Sequence, residues 1–167
     1  MLKSLAFLGA CSPALAALVQ KNWDIGWVNR SPNGVARPVI GINGQWPLPL
    51  LEATVGDTVR ITVNNKLGNE TTGIHWHGLH QIGSNEMDGP AGATQCPIPP
   101  GKSFTYEFVV NYPGTYWYHS HVGTQYPDGL RGPLIVKHGY SHPDPYAGKY
   151  EKEYLITLSG KFPFLVC

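Results

Sequence analysis

Charge is the first thing this chain has little of. Its 167 residues carry 12 Lys and Arg against 11 Asp and Glu, 14% charged in all, for a formal net charge of +1. An electrostatic nucleic-acid binder carries a basic excess and a high pI, so that class is excluded. No apolar run approaches the ~20 residues that a membrane-spanning helix needs, and no helix-period apolar stretch of useful length occurs. There is no internal repeat or low-complexity block, and no sign of a second domain. Only three cysteines are present, Cys11, Cys96 and Cys167.

Glycine and proline are abundant instead, at 20 and 15 residues with 42% hydrophobic content. Together they make about one residue in five, against about one in eight in average usage. That composition predicts many short elements joined by tight turns, as in an all-β protein. Trp23, Ile25 and Trp27 alternate with smaller or polar residues. Val39, Ile40 and Ile42 run up to Asn43-Gly44, a turn dipeptide. Residues 53–55 and 59–63 read as two strands around a Gly56-Asp57 turn, and 74–79, 104–109, 115–121, 134–136 and 154–158 complete the set. Eight to nine short strands at this spacing predict a Greek-key β-sandwich or barrel. Gly129 and Gly132 are expected to serve turns before the 134–136 strand.

The ends read differently. Lys3, the apolar run 5–10 and Ala14-Leu15-Ala16 form a secretory signal peptide over residues 1–16. Secretion makes disulfides permissible. Cys96 and Cys167 remain after cleavage, but pairing through a terminal residue is an unusual staple, so their pairing stays open. Two sequons fit an extracellular route: Asn69-Glu70-Thr71, and Asn29-Arg30-Ser31, whose following Pro32 lowers its use.

The seven histidines carry the chemistry. His75-Trp76-His77 and His119-Ser120-His121 each place two imidazoles at i and i+2, which share one face of a strand. Both pairs lie among apolar and aromatic residues, where unpartnered imidazoles cost free energy. A shared metal offsets that cost. With no cysteine in either motif, a structural thiolate zinc site is disfavoured, and ligand type alone leaves copper and zinc open. Trp76 points to the opposite face and is assigned to the core, as are Tyr116 and Trp117. His80 is read as a non-ligand near a loop, and His138 and His142 as exposed loop residues.

Four motifs in order resemble the first cupredoxin (plastocyanin-like) domain of multicopper oxidases: His75-Trp76-His77-Gly78, Met87-Asp88-Gly89-Pro90, Gln95-Cys96-Pro97-Ile98, and the run from Gly114 to His121. The run from Asp128 to Pro133, the run from Ile42 to Pro47 and Gly56-Asp57 fit the same pattern. The resemblance is strongest to fungal laccases and fungal iron-transport ferroxidases, and it spans nearly all of residues 17–159. It implies a cupredoxin fold and half of a trinuclear copper cluster that reduces dioxygen to water while a phenol or Fe(II) is oxidised. His75 would then ligate the type 2 copper, and His77, His119 and His121 the type 3 pair. Asp88 would assist proton delivery near the cluster, a role compatible with its turn chemistry. The partners implied are the remaining cupredoxin domains, dioxygen and the reducing substrate. The implied location is extracellular, or the cell surface where the full-length protein is membrane-anchored.

The sequence also departs from that family. No His-Cys-His occurs, and Cys96 is followed by Pro97 with no histidine beside it. A type 1 copper site is therefore not expected, and the chain alone is not expected to be catalytic. The family cysteine matching Cys96 commonly bonds to the last domain, which leaves Cys96 without its partner here. The family pattern holds through Ser159. Gly160-Lys161-Phe162 is what GGT-AAG-TTT encodes, and it contains a typical intron start, so residues 160–167 are expected to be intron read-through. The alternatives are an autonomous secreted copper- or zinc-binding cupredoxin module without oxidase activity, or a non-functional truncated fragment.

Overall fold

The computed structural model describes residues 16–160. Most of the expected signal peptide, the tail beyond Gly160, Cys11 and Cys167 lie outside the described residues. Eight strands form two four-stranded sheets. The first sheet has the order β2-β1-β4-β6, from Arg37–Ile42, Leu18–Arg30, Thr58–Asn65 and Ser103–Val109. The second has the order β3-β8-β7-β5, from Leu51–Thr54, Arg131–Lys137, Gly114–Ser120 and Ile74–His77. Both sheets are mixed, because β1 runs parallel to β4 and β3 parallel to β8. A single 3-10 turn at Asn85–Met87 is the only helical element among the described residues.

The all-β expectation is met, and the alternation explains which face goes inward. In β4, Val59, Ile61 and Val63 are fully buried while the intervening Arg60 and Thr62 face outward and pair with Glu107 and Thr105 of β6. Asn43-Gly44 forms the expected turn, with φ of 51° and 72° and Gln45 N–H donating to the Ile42 carbonyl at 2.9 Å. The Gly56-Asp57 turn does not close a hairpin: β3 and β4 belong to different sheets. Asp57 fixes that crossing, its carboxylate accepting from Thr54 N–H at 2.7 Å and Ala17 N–H at 2.8 Å.

Several expectations about strands are corrected, among them 74–79, which is a strand only over Ile74–His77. Residues 154–158 form no ladder; Tyr154, Ile156 and Leu158 alternate correctly but all stay exposed, because neither sheet edge takes them as a partner. The 115–121 strand ends at Ser120, leaving His121 just past it. Gly132 is not a turn residue but lies inside β8, paired with Tyr118. Glycine is required there because a β-carbon would run into the Tyr118 ring, which is fully buried and donates its hydroxyl to the Pro49 carbonyl at 2.7 Å. Gly132→Ala is therefore expected to destabilise by about 1–3 kcal/mol through overpacking, read as a lower urea midpoint at unchanged slope. Gly129 does serve a turn, at φ 121°.

Aromatic rings fill the space between the sheets. Trp76 is fully buried against Phe108 at 5.1 Å and Tyr106 at 5.4 Å between ring centroids, and Trp23 lies 4.7 Å from Tyr118. Burial pushes the Tyr106 hydroxyl up to about 12, so it stays protonated, and its oxygen accepts from Ile74 N–H at 2.9 Å. That bond seats the start of β5, the strand that carries His75 and His77.

Candidate metal centre

The second sheet brings the two histidine motifs together by register. β5 and β7 are antiparallel neighbours, with His75 opposite His119 and Trp76 opposite Tyr118. Directly opposed residues share a face. His75, His77 and His119 therefore project from the outer side of the sheet while Trp76, Tyr118 and Ser120 point into the core. Ring centroids lie 5.4 Å apart for His75–His77, 5.4 Å for His75–His119 and 5.3 Å for His77–His119. The ligand atoms of these three all lie within 4.8 Å of one another. His121 stands at the rim, 5.6 Å from His75 and 6.1 Å from His119.

Hydrogen bonds set the ring tautomers. His75 Nδ1–H donates to the Asp88 carbonyl at 2.9 Å, and His119 Nδ1–H donates to the Ser120 carbonyl at 2.8 Å. Each then carries its lone pair on Nε2, the usual arrangement for a ligating imidazole whose other nitrogen is held by a carbonyl. In this arrangement the His119 lone pair accepts from His77 Nδ1–H at 3.1 Å, a bond that a metal ion on His119 Nε2 would replace, with Nε2 of His77 as the free donor atom of that ring. Burial depresses the His119 pKa to about 4, with the neighbouring His75, His77 and His121 adding to the effect against the Ser120 hydrogen bond. His119 is thus neutral across the physiological range, the form that binds a metal. Three imidazoles with no thiolate among them fit a copper or zinc ion.

Asp88 is placed beside His75. Besides its carbonyl contact, its carboxylate Oδ1 stands 3.4 Å from His75 Nδ1, and its carbonyl also accepts from Trp76 N–H at 3.3 Å. Trp117 is corrected: it shares the outer face, 4.3 Å from His119 and 4.7 Å from His77, and is not part of the core cluster, whereas Tyr116 packs against that cluster. His80 is exposed against Tyr112, and His138 is exposed with Nδ1 near the His142 carbonyl. Cys96 is a free, exposed thiol. Asn69 is exposed in a bend, and Asn29 is exposed on β1 opposite Pro38.

Two residues beside the site lie outside the sequence motifs, one acting by packing and one by its side-chain amide. Tyr126 places its ring 5.1 Å from His119, with the Arg131 guanidinium 5.5 Å over it. Gln125, discussed below, is buried beneath the second motif. Neither lies in a periodic run, so no pattern marks them.

Comparison with known proteins fits this geometry. The family model for multicopper oxidases matches residues 24–141. An iron transport multicopper oxidase of Gibberella zeae is 56% identical over 92% of this chain and 24% of its own length. Laccase-2 of Thanatephorus cucumeris is 46% identical over 89% of this chain and 25% of its own. The crystal structure of Fet3p, a multicopper oxidase that functions in iron import, superposes with a TM-score of 0.74 at 43% identity, over 80% of this chain and 25% of that one. The laccase from Botrytis aclada gives 0.71 at 44%, over 73% and 23%. The chain spans about a quarter of the length of these relatives. The match covers both histidine motifs and the strands that carry them, and the chain belongs to the multicopper oxidase family.

Proposed function

We propose that residues 17–159 are the copper-binding first cupredoxin domain of a secreted, glycosylated multicopper oxidase, contributing half of a trinuclear cluster. The observation that carries this reading is the convergence of His75, His77 and His119 to within 4.8 Å, with His119 held neutral by burial. His75 would hold the type 2 copper, and His77, His119 and His121 the type 3 half-site. When bound, the cluster supplies the reduction of dioxygen to water, driven by oxidation of a phenol or Fe(II). This chain's own residues do three things. The Asp88 and Ser120 carbonyls orient two of the imidazoles. Trp117 and Tyr126 wall the outer side of His119. The Asp88 carboxylate is half-buried beside His75 and can pass protons from solvent, which dioxygen reduction consumes. The remaining domains would supply the other ligands and the type 1 site, since these residues include no His-Cys-His.

Purified as the 167-residue chain, the protein is expected to retain copper and to lose it in both His75→Ala and His119→Ala. It is expected not to oxidise phenols or Fe(II) with dioxygen, and to lack the intense blue thiolate-to-copper absorption. Copper retained in either variant, or blue colour in the wild type, overturns the assignment. A second reading is an autonomous copper- or zinc-binding module. It is favoured by the fact that three donor atoms within reach of a single ion come from this chain alone. One tightly held ion per monomer, with zinc competing on equal terms, supports that reading; retention of neither metal supports an inert fragment.

A further inference from the structure

We infer that Gln125 is a positioning residue that locks the two histidine-bearing strands to each other, and so sets the geometry in which His75, His77, His119 and His121 meet a metal. The inference rests on the metal-binding reading above. Gln125 lies in the loop between β7 and β8 and is 4% exposed. All four hydrogen-bonding positions of its amide are filled. The oxygen accepts from Thr72 Oγ1 at 2.9 Å and Ser120 Oγ at 2.8 Å. The nitrogen donates to the Thr71 carbonyl at 2.7 Å and to Glu70 Oε2 at 3.2 Å.

These partners fall into two groups. Glu70, Thr71 and Thr72 belong to the segment that enters β5 two residues before Ile74, and hence lead directly to His75. Ser120 stands between His119 and His121, and its carbonyl is the acceptor that fixes the His119 ring. The Ser120 hydroxyl also accepts from Val122 N–H at 3.1 Å, shaping the chain where His121 leaves the strand. Main-chain bonds hold the loop itself: Leu130 N–H donates to the Gln125 carbonyl at 3.0 Å, and Ser120 N–H to the Leu130 carbonyl at 2.9 Å. One buried amide therefore ties together, from the core side, the two strands whose outer side carries the imidazoles. Ladder bonds between β5 and β7 fix the register, but β5 is only four residues long and lies at the sheet edge. A buried polar group with every position satisfied specifies one arrangement more sharply than apolar packing does.

The test is copper titration of the full chain, followed by quenching of tryptophan fluorescence, with Trp117 beside His77 and His119, and the electron paramagnetic resonance spectrum of bound Cu(II) as second readout. Gln125→Met keeps the bulk and removes the amide. It is expected to weaken copper binding roughly 10–100-fold, the range for loss of groups that orient metal ligands, and to split the spectrum into several species. Ile61→Val, a buried change in the other sheet, lowers the unfolding midpoint but is expected to leave affinity and spectrum unchanged. Thr72→Val, a gentler change at a hydroxyl that bonds Gln125, should weaken binding and add nothing further in the Gln125→Met background, as coupled partners do. In the metal-free chain, Gln125→Met is expected to speed hydrogen exchange at the Ser120 amide more than at Ile61. Wild-type affinity in Gln125→Met, an equal loss in Ile61→Val, additive effects, or unchanged exchange at Ser120 overturns the inference. If the wild type fails to bind copper through its histidines, the metal-binding reading falls, while the exchange measurement still decides whether Gln125 locks the strands.

Discussion

Trp76→Ala is expected to cost about 3–5 kcal/mol of folding stability, the range for deleting a fully buried large aromatic. Domains are held by only about 5–15 kcal/mol in total, so the variant should give up a large share of its stability. The reason is positional. Trp76 is 0% exposed and contacts rings from three other strands: Trp23 of β1, Tyr106 and Phe108 of β6, and Tyr118 of β7. It spans the interface between the two sheets. Its indole N–H is buried without a hydrogen-bond partner. Trp76→Phe removes that unpaired donor along with part of the ring, and is expected to cost clearly less than Ala. Ile82→Ala, at a residue 68% exposed, serves as the control and should stay within about 0.5 kcal/mol. Chemical denaturation of the three variants checks the order; a Trp76→Ala loss no larger than that of Ile82→Ala would show that the sheets do not depend on this ring. Because Trp76 sits between two imidazoles, copper added to the variant should recover part of the lost stability by mass action.

That position also shows what was legible in the sequence. Period-2 alternation places His75 and His77 outward and Trp76 inward, and the structure agrees residue by residue. For Trp117 the same rule gives the outer face with His119, where the ring lies, and it is the assignment to the core that fails. Alternation also reads residues 154–158 as a strand, yet a strand forms only where another offers an edge, and local pattern carries no information about that edge. The Gly56-Asp57 turn is a further case. The sequence shows that the chain reverses there, but a hairpin and a crossing between sheets use the same turn residues. Register lies beyond local pattern for a related reason. Placing His75 opposite His119 depends on hydrogen bonds between residues 44 positions apart, while the motifs fix only which side chains share a face within each strand. Gln125 and the Asp88 carbonyl act through hydrogen bonds across the fold, so neither leaves a periodic trace.

Gly89→Ala is expected to damage both the fold and the metal site at once. Gly89 has φ of 98°, a region that residues with a β-carbon rarely adopt. Space is the stronger objection. A β-carbon there would run into the Ile74 carbonyl and come within 3.0 Å of His75 Cα. These are backbone atoms of β5, which the Tyr106 hydroxyl and the β7 ladder hold in place, so the loop must move away. Asp88 is its adjoining residue, and its carbonyl accepts both His75 Nδ1–H and Trp76 N–H. Displacing it frees the His75 ring to rotate and leaves the Trp76 amide without its acceptor. Backbone strain of this kind costs roughly 1–3 kcal/mol, and a lost buried hydrogen bond about 1–3 kcal/mol more. Loss of the carbonyl that orients a ligand weakens metal binding roughly 10–100-fold. Asp88→Asn separates the two roles of that residue, since it keeps the carbonyl and removes only the carboxylate charge. It should therefore retain near-normal stability and copper affinity while Gly89→Ala loses both. Equal copper affinity in Gly89→Ala and the wild type would mean that His75 does not need the Asp88 carbonyl to face the metal.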